Sequence, residues 1–305
     1  MLPMLRVAAI TWTLLAFPAI VYSQAQPNVT FAPVVKGLVL QDVECSEFHS
    51  RSTGHDYHLY VSLPVSYHQG DRRYPVLYVP DYDGGFLILK VTNDVMNLEN
   101  MLEEFILVGV PLKSESVQDW IRKRAFDLTP TEVESMNKSF GERFGGEVHT
   151  GGAPMFLRTL KEELIPYIES KYRVTSDRGL AGYSFGGLFA GYVWLNDGST
   201  FSRYLIGSPS LWWDKAMILK TEADLAKSGK ALHGRVFLSV GADEGGGDQD
   251  MVGSLKNLTT AINSHGYPNL QLESHIFEST DHFSGVPGAF SRGLKFLYVR
   301  PQPKK

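Results

Sequence analysis

The chain has 305 residues, 43% hydrophobic and 20% charged, with a single cysteine, Cys45. This balance excludes disordered and collagen-like classes, and the length suffices for one large core. A formal net charge of −4 argues against nucleic acid as a partner, and one cysteine cannot form an intramolecular disulfide.

The first stretch, "MLPMLRVAAITWTLLAFPAIVYSQAQ", has one early charge at Arg6, apolar residues from Val7 to Tyr22, and small residues at Ser23 and Ala25. This pattern predicts a signal peptide over residues 1–25, cleaved near Ser23 or Ala25, and hence a secreted or periplasmic protein. Residues 26–305 contain no run approaching the roughly 20 apolar residues of a membrane span. They read as one domain without linkers, repeats or low-complexity tracts. Sequons stand at Asn28, Asn137 and Asn257.

Strand and helix patterns then alternate. "HDYHLYVSLP" places Tyr57, Leu59, Val61 and Leu63 on one face of a half-buried strand. "YPVLYVP", "EFILVGVP", "RGLAGYS", "RYLIGS", "RVFLSVG" and "NLQLESHIFE" are short apolar runs suited to strands buried on both faces. Between them, "APMFLRTLKEELIPYIESKY" repeats Phe156, Leu160, Leu164, Tyr167 and Ile168 at helical spacing, with Pro166 expected to kink or end it. "FGGLFAGYVWL", "AMILKTEADLAKSG", "DMVGSLKNLTTAINSHG" and "GAFSRGLKFLYV" continue the series. Such alternation predicts an α/β fold with a mostly parallel sheet covered on both faces. One segment breaks the rhythm: residues 113–152 are polar and glycine-rich, and read as an excursion over the strand ends that lines a cleft.

Gly182-Tyr183-Ser184-Phe185-Gly186 is a G-x-S-x-G pattern entered from a strand and left by a helix. That context makes Ser184 a candidate nucleophile on a sharp elbow rather than part of a plain turn. A serine hydroxyl needs a base, and in this architecture the base follows the last strand. Of nine histidines, His55, His58 and His275 lie on strands, whereas His282 stands in the loop "STDHFSG" before the last helix and is the candidate base. The acid belongs after the preceding strand, where "VGADEGGGDQD" offers Asp243 and Glu244 without deciding between them. The spacing of this acidic cluster does not match an EF-hand calcium loop. An oxyanion hole calls for the backbone N–H of Phe185 and a second N–H from the loop "YVPDYDGGF", from Tyr82 or Asp83.

Together, "YPVLYVPDYDGGF", "DLTPT", "GGAPMFLRTLKEELIPYIESKYRV", "LAGYSFGGLFAGYV", "IGSPSLWWD" and "VGADE" resemble the esterase family that includes enterobactin esterases of the Fes and IroE type, esterase D and the mycolyltransferases. The resemblance runs from about Val39 to Leu297, and "SPSLWW" behind the serine motif is fairly specific for the siderophore-esterase branch. It implies an α/β-hydrolase fold with Ser184 as nucleophile, His282 as base and, through the G-x-x-E pattern after Gly241, Glu244 rather than Asp243 as acid. The signal peptide departs from the cytosolic esterase D members and argues against glutathione-thioester hydrolysis. Cleavage of a small-molecule carboxylic ester through an acyl-enzyme, without metal or organic cofactor, is the resulting expectation, with siderophore-type trilactones as one substrate class. Acyl transfer by the same triad and a non-catalytic binding role on this fold are the alternatives. Trp212 and Trp213 are candidates for the wall of an acyl or aryl pocket, with simple packing as the other reading. Arg122 and Arg124, in "WIRKRAF", are candidates for a basic surface that admits an anionic substrate, against the reading of solvated surface charge.

Overall fold

The computed structural model describes Leu40 and residues 42–300. The expected signal peptide, with Ser23 and Ala25, and the sequon at Asn28 lie outside the described residues.

The strands are β1 (Val43–His49), β2 (Asp56–Ser62), β3 (Tyr74–Asp81), β4 (Ile106–Pro111), β5 (Val174–Tyr183), β6 (Arg203–Gly207), β7 (His233–Gly241) and β8 (Asn269–Phe277). They form one eight-stranded sheet in the order β1-β2-β4-β3-β5-β6-β7-β8. The β1–β2 and β2–β4 pairs are antiparallel, and all later pairs are parallel. The helices are α1 (Asp83–Asn97), α2 (Val117–Leu128), α3 (Glu134–Phe144), α4 (Ala153–Arg158), α5 (Ile165–Lys171), α6 (Phe185–Asn196), α7 (Trp213–Lys227), α8 (Met251–His265) and α9 (Gly285–Tyr298).

The continuous apolar runs follow from a sheet buried on both sides. On β3, Val76 and Tyr78 enter one core while Leu77 and Val79 enter the other. On β7 the split is Val236, Leu238 and Val240 against Phe237. The smaller core is closed by Phe86 and Leu89 of α1 and Phe290 and Leu294 of α9. The larger receives Phe156, Leu160, Phe189, Ile218 and Leu255 from helices on the opposite face. Strand β2 buries Tyr57, Leu59 and Val61 in that same core, which gives it the two-residue period visible in its sequence.

Three segments depart from the sequence reading or refine it. Residues 113–152 are not an open loop, because they contain α2 and α3. Ser116 caps α2 by accepting a hydrogen bond from Asp119 N at 3.1 Å, a signal present in "SESVQD". Asp127, at the inner end of α2, is buried and accepts from His55 Nδ1 at 2.9 Å and Tyr57 OH at 2.6 Å, which pins the excursion to β2. Burial pushes the Asp127 carboxyl above its ordinary value, and both bonds oppose that shift. Pro166 acts on the turn before it: Thr159–Leu164 widens into a π-helical turn between α4 and α5, which accommodates a residue with no N–H to donate. The start of α7 is a left-handed turn at Asp214, Lys215 and Ala216, with φ of 46°, 55° and 57°. Of the two other sequons, Asn257 is exposed on α8, whereas Asn137 is buried and hydrogen-bonded to Glu132 and Thr150.

Candidate active site

The chain passes from β3 outward to β4 and then back to β5, so the strand order reverses beside β3. In open α/β sheets ligands bind at such a reversal, outside the carboxyl ends of the strands. Asp81 ends β3, Ser184 follows β5, Ser208 follows β6, Glu244 follows β7 and His282 follows β8.

Ser184 sits between β5 and α6 with φ 60° and ψ −119°, a strained conformation for a residue with a side chain. The elbow is possible because Gly182 lacks a Cβ, which would lie 2.1 Å from the Gly186 carbonyl oxygen. The Ser184 backbone is fixed from β6, its N–H donating to Gly207 O at 3.0 Å, and its carbonyl accepts from Ser210 N at 3.2 Å.

The structure brings Glu244 to His282. Glu244 Oε2 lies 2.5 Å from His282 Nδ1, and the carboxylate side chain is only 4% exposed. Oε1 accepts from Ser208 Oγ at 2.7 Å and Gly241 N at 2.8 Å. Burial alone would raise the Glu244 pKa, but the bonds from His282, Ser208 and Gly241 outweigh it and hold the carboxyl below its ordinary value. Asp243, one residue earlier, is exposed in the same turn; its backbone N–H donates to Thr280 O at 3.1 Å, and its carboxylate makes no hydrogen bond among the described residues. The His282 loop is held independently. Tyr183 OH donates to the His282 carbonyl at 2.7 Å, and Asp281 Oδ1 accepts from the N–H groups of Phe283 and Ser284, each at 2.9 Å.

Phe185 is the first residue of α6, so its N–H stands outside the helical ladder. Tyr82 precedes α1 and lines the cleft, and its N–H has no acceptor among the described residues. Asp83 does not line the cleft, and its carboxylate accepts from Tyr60 OH at 2.7 Å.

Ser184, His282 and Glu244 open into a cleft of about 820 Å3 whose far wall is the excursion. Trp120, Phe140 and Phe144 come from α2 and α3, and Phe185 and Trp212 face them. Trp213 is 0% exposed, lies outside the cleft and donates its Nε1–H to Thr131 Oγ1 at 3.1 Å. The pair expected as a wall therefore divides: Trp212 lines the cleft and Trp213 anchors the excursion. Arg122 does not line the cleft, and its Nη1 donates to Gly145 O at 3.1 Å. Arg124 does line it, with its guanidinium edge on Asp81.

Sequence reasoning missed several residues at the site. Ser208 supports Glu244 and Tyr183 supports His282, from positions inside "IGSPSLWWD" and the G-x-S-x-G motif to which the sequence pattern assigns no role. Arg143 lines the cleft with its guanidinium 5.0 Å from the Phe144 ring centroid, and it pairs with no carboxylate among the described residues. Helical spacing of Phe140, Arg143 and Phe144 is the signal that could have found it.

A mostly parallel sheet with a serine elbow at the end of β5 and a histidine beyond its last strand defines the α/β-hydrolase fold. The sequence model of the family described as "Putative esterase" matches residues 50–297, and the chain belongs to that family. Its activity class is carboxylic ester hydrolysis. The chain is 26% identical over 256 residues to the ferri-bacillibactin esterase BesA of Bacillus subtilis, covering 81% of this chain and 86% of that protein. It is 34% identical over 174 residues to the siderophore enterobactin esterase of Emericella nidulans, covering 53% and 56%. Among solved structures, the BES protein of Bacillus cereus superimposes with a TM-score of 0.72 at 25% identity over 88% of this chain and 99% of that one. The siderophore hydrolase EstB of Aspergillus nidulans shares the fold with a TM-score of 0.70 at 21% identity, covering 89% and 100%.

Proposed function

We propose that Ser184, His282 and Glu244 form a catalytic triad that hydrolyses the ester bonds of a siderophore-type substrate after export of the protein. The hydrogen-bonded approach of Glu244 to His282 in the cleft that also exposes Ser184 carries this reading. Glu244 accepts the proton-bearing Nδ1 of His282, which leaves Nε2 free to take the Ser184 hydroxyl proton. Ser184 Oγ then bonds to the ester carbonyl carbon, and the N–H groups of Phe185 and Tyr82 receive the developing oxyanion. Collapse breaks the bond to the alcohol, which leaves with the proton from His282, and water releases the acyl group by the same steps in reverse.

The substrate class rests on the relatives and on the cleft lining. Aromatic side chains from both walls suit a planar acyl group, and Arg143 supplies a cation without a carboxylate partner among the described residues. The leader over residues 1–25 supports secretion or a periplasmic location, as the sequence implies.

Labelling by a fluorophosphonate probe tests the nucleophile: the wild type labels and a folded Ser184→Ala does not, whereas labelling of that variant refutes the assignment. Hydrolysis of a catecholate trilactone and a hydroxamate triester, compared with p-nitrophenyl esters, tests the substrate class. Preference for the simple esters over both siderophore-type compounds would leave a general esterase.

A further inference from the structure

We propose that Arg124 is a positioning residue for ester cleavage: its ion pair with Asp81 fixes the turn that presents the Tyr82 amide and neutralises the carboxylate beside that amide. The inference rests on the triad and oxyanion-hole reading above.

Arg124 Nε and Nη2 donate to Asp81 Oδ1 and Oδ2 at 2.5 and 2.7 Å, a two-point fork between side chains 16% and 5% exposed. Two aromatic rings also stand beside the guanidinium. Its Cζ lies 5.2 Å from the ring centroids of Trp120 and of Phe185. With its edge on a carboxylate and two rings within cation–π distance, Arg124 is set as a fixed structural cation, not as a free one awaiting an anionic substrate.

What it holds is the last residue of β3. Asp81 has φ 105°, in the region that favours glycine, so its backbone needs external contacts to stay there. The next residue is Tyr82, the proposed second oxyanion donor. The Asp81 carboxylate also reaches the other donor segment: a Cβ on Gly186 would stand 3.2 Å from Asp81 Oδ2. The carboxylate thus lies against both turns that supply the proposed donors. Left without a partner, a negative charge there would oppose the negative charge that develops on the ester oxygen. Arg124 removes that opposition and couples the turn to α2, so the far wall of the cleft and the oxyanion hole become one unit.

The test is steady-state hydrolysis of a neutral p-nitrophenyl ester by the wild type, Arg124→Gln, Arg124→Lys, the double variant Asp81→Asn/Arg124→Gln, and Ser184→Ala as control. Binding of a boronic acid that mimics the tetrahedral intermediate is measured alongside. Arg124→Gln is expected to lower kcat by about 100-fold with KM within about threefold, and to weaken boronate binding in proportion to kcat/KM. The double variant is expected to regain about tenfold of that loss, because the unpaired carboxylate is gone. Arg124→Lys restores the charge without the fork and is expected to fall between; it also carries the test if the glutamine variants do not fold. A merely structural role would lower stability and leave the kcat-to-KM split and the boronate response unchanged, and that result overturns the inference. So does a loss confined to KM for anionic esters, which would make Arg124 a substrate contact. Full hydrolysis by Ser184→Ala would overturn the triad reading itself, whereas an inactive Ser184→Ala beside an unaffected Arg124→Gln overturns only the role of Arg124.

Discussion

Replacing Glu244 by glutamine separates the two candidate acids, and the structure sets the size of the effect. Glu244 accepts three hydrogen bonds, from His282 Nδ1, Ser208 Oγ and Gly241 N. A glutamine has one acceptor oxygen and one donor amide, so it cannot serve all three. If its oxygen faces His282, its NH2 meets the Gly241 N–H, and a buried donor is left without an acceptor at a cost of about 1–3 kcal/mol. If its NH2 faces His282, the imidazole must carry its proton on Nε2, where it can no longer accept from Ser184. Wrong-tautomer histidines of this kind lose about 10^4 in kcat. Either arrangement also removes the negative charge that stabilises the imidazolium. The expected loss for Glu244→Gln is about 10^3- to 10^4-fold in kcat, or about 4–5.5 kcal/mol, with KM within about threefold. Asp243 is exposed and its carboxylate makes no hydrogen bond among the described residues, so Asp243→Asn should stay within about twofold. Initial rates on a p-nitrophenyl ester over a range of concentrations give both constants. A reversed ranking, or more than a tenth of wild-type kcat in Glu244→Gln, would refute the reasoning.

Two further outcomes concern stability. Because the folded protein holds the Glu244 carboxyl below its ordinary value of 4.5, the unfolded chain takes up that proton first as pH falls. The advantage of wild type over Glu244→Gln is therefore complete above the ordinary carboxylate range and should shrink in urea titrations taken from about pH 7 to about pH 3; a constant or growing gap would contradict this. Two glycines near the nucleophile should behave oppositely. Gly182→Ala places a Cβ 2.1 Å from the Gly186 carbonyl oxygen and should cost more than about 3 kcal/mol or prevent folding, while Gly191→Ala, within α6 and with nothing beyond its own helix backbone and chain neighbours within 4 Å of the added carbon, should gain about 0.5–1 kcal/mol in thermal unfolding.

The features legible in the sequence were those set by local pattern. The apolar runs of β3 to β7 announce burial on two faces, and the strand-to-helix context of Ser184 announces the elbow. His282 stands out as the candidate base by its place after the last strand. What stayed hidden depends on contacts distant in sequence. The Asp81–Arg124 pair joins residues 43 positions apart, and nothing near either residue marks it. Arg124 consequently reads as one of a run of surface cations until the fold sets it, from α2, against the end of β3. The division of Trp212 from Trp213 is equally nonlocal, because it turns on whether Thr131 meets the indole. The choice between Asp243 and Glu244 needed the family resemblance at the sequence level, since adjacent carboxylates in a glycine-rich turn share every local property. Helices α2 and α3 are a different case. Few apolar anchors and many polar residues mask a helix pair that buries only one narrow side.

The excursion's attachment bears on how the cleft selects its ligand. It is tied to the body at three separated points: Asp127 to His55 and Tyr57, Arg124 to Asp81, and Thr131 to Trp213. Each tie reaches a different part of the fold, on or beside β2, at the end of β3 and at the start of α7. Opening the wall as a lid would have to break buried or half-buried polar bonds at all three together, each leaving unpaired groups behind. The wall is therefore a standing part of the site, and cleft width is set before any ester arrives. On the proposed reading, selectivity belongs to the side chains that line the cleft from α2 and α3, chiefly Trp120, Phe140, Arg143 and Phe144, and the chemistry to the strand ends. Changes in those four residues should alter which acyl groups enter without disturbing Ser184, His282 or Glu244, a separation that lets one sheet edge serve differently shaped esters.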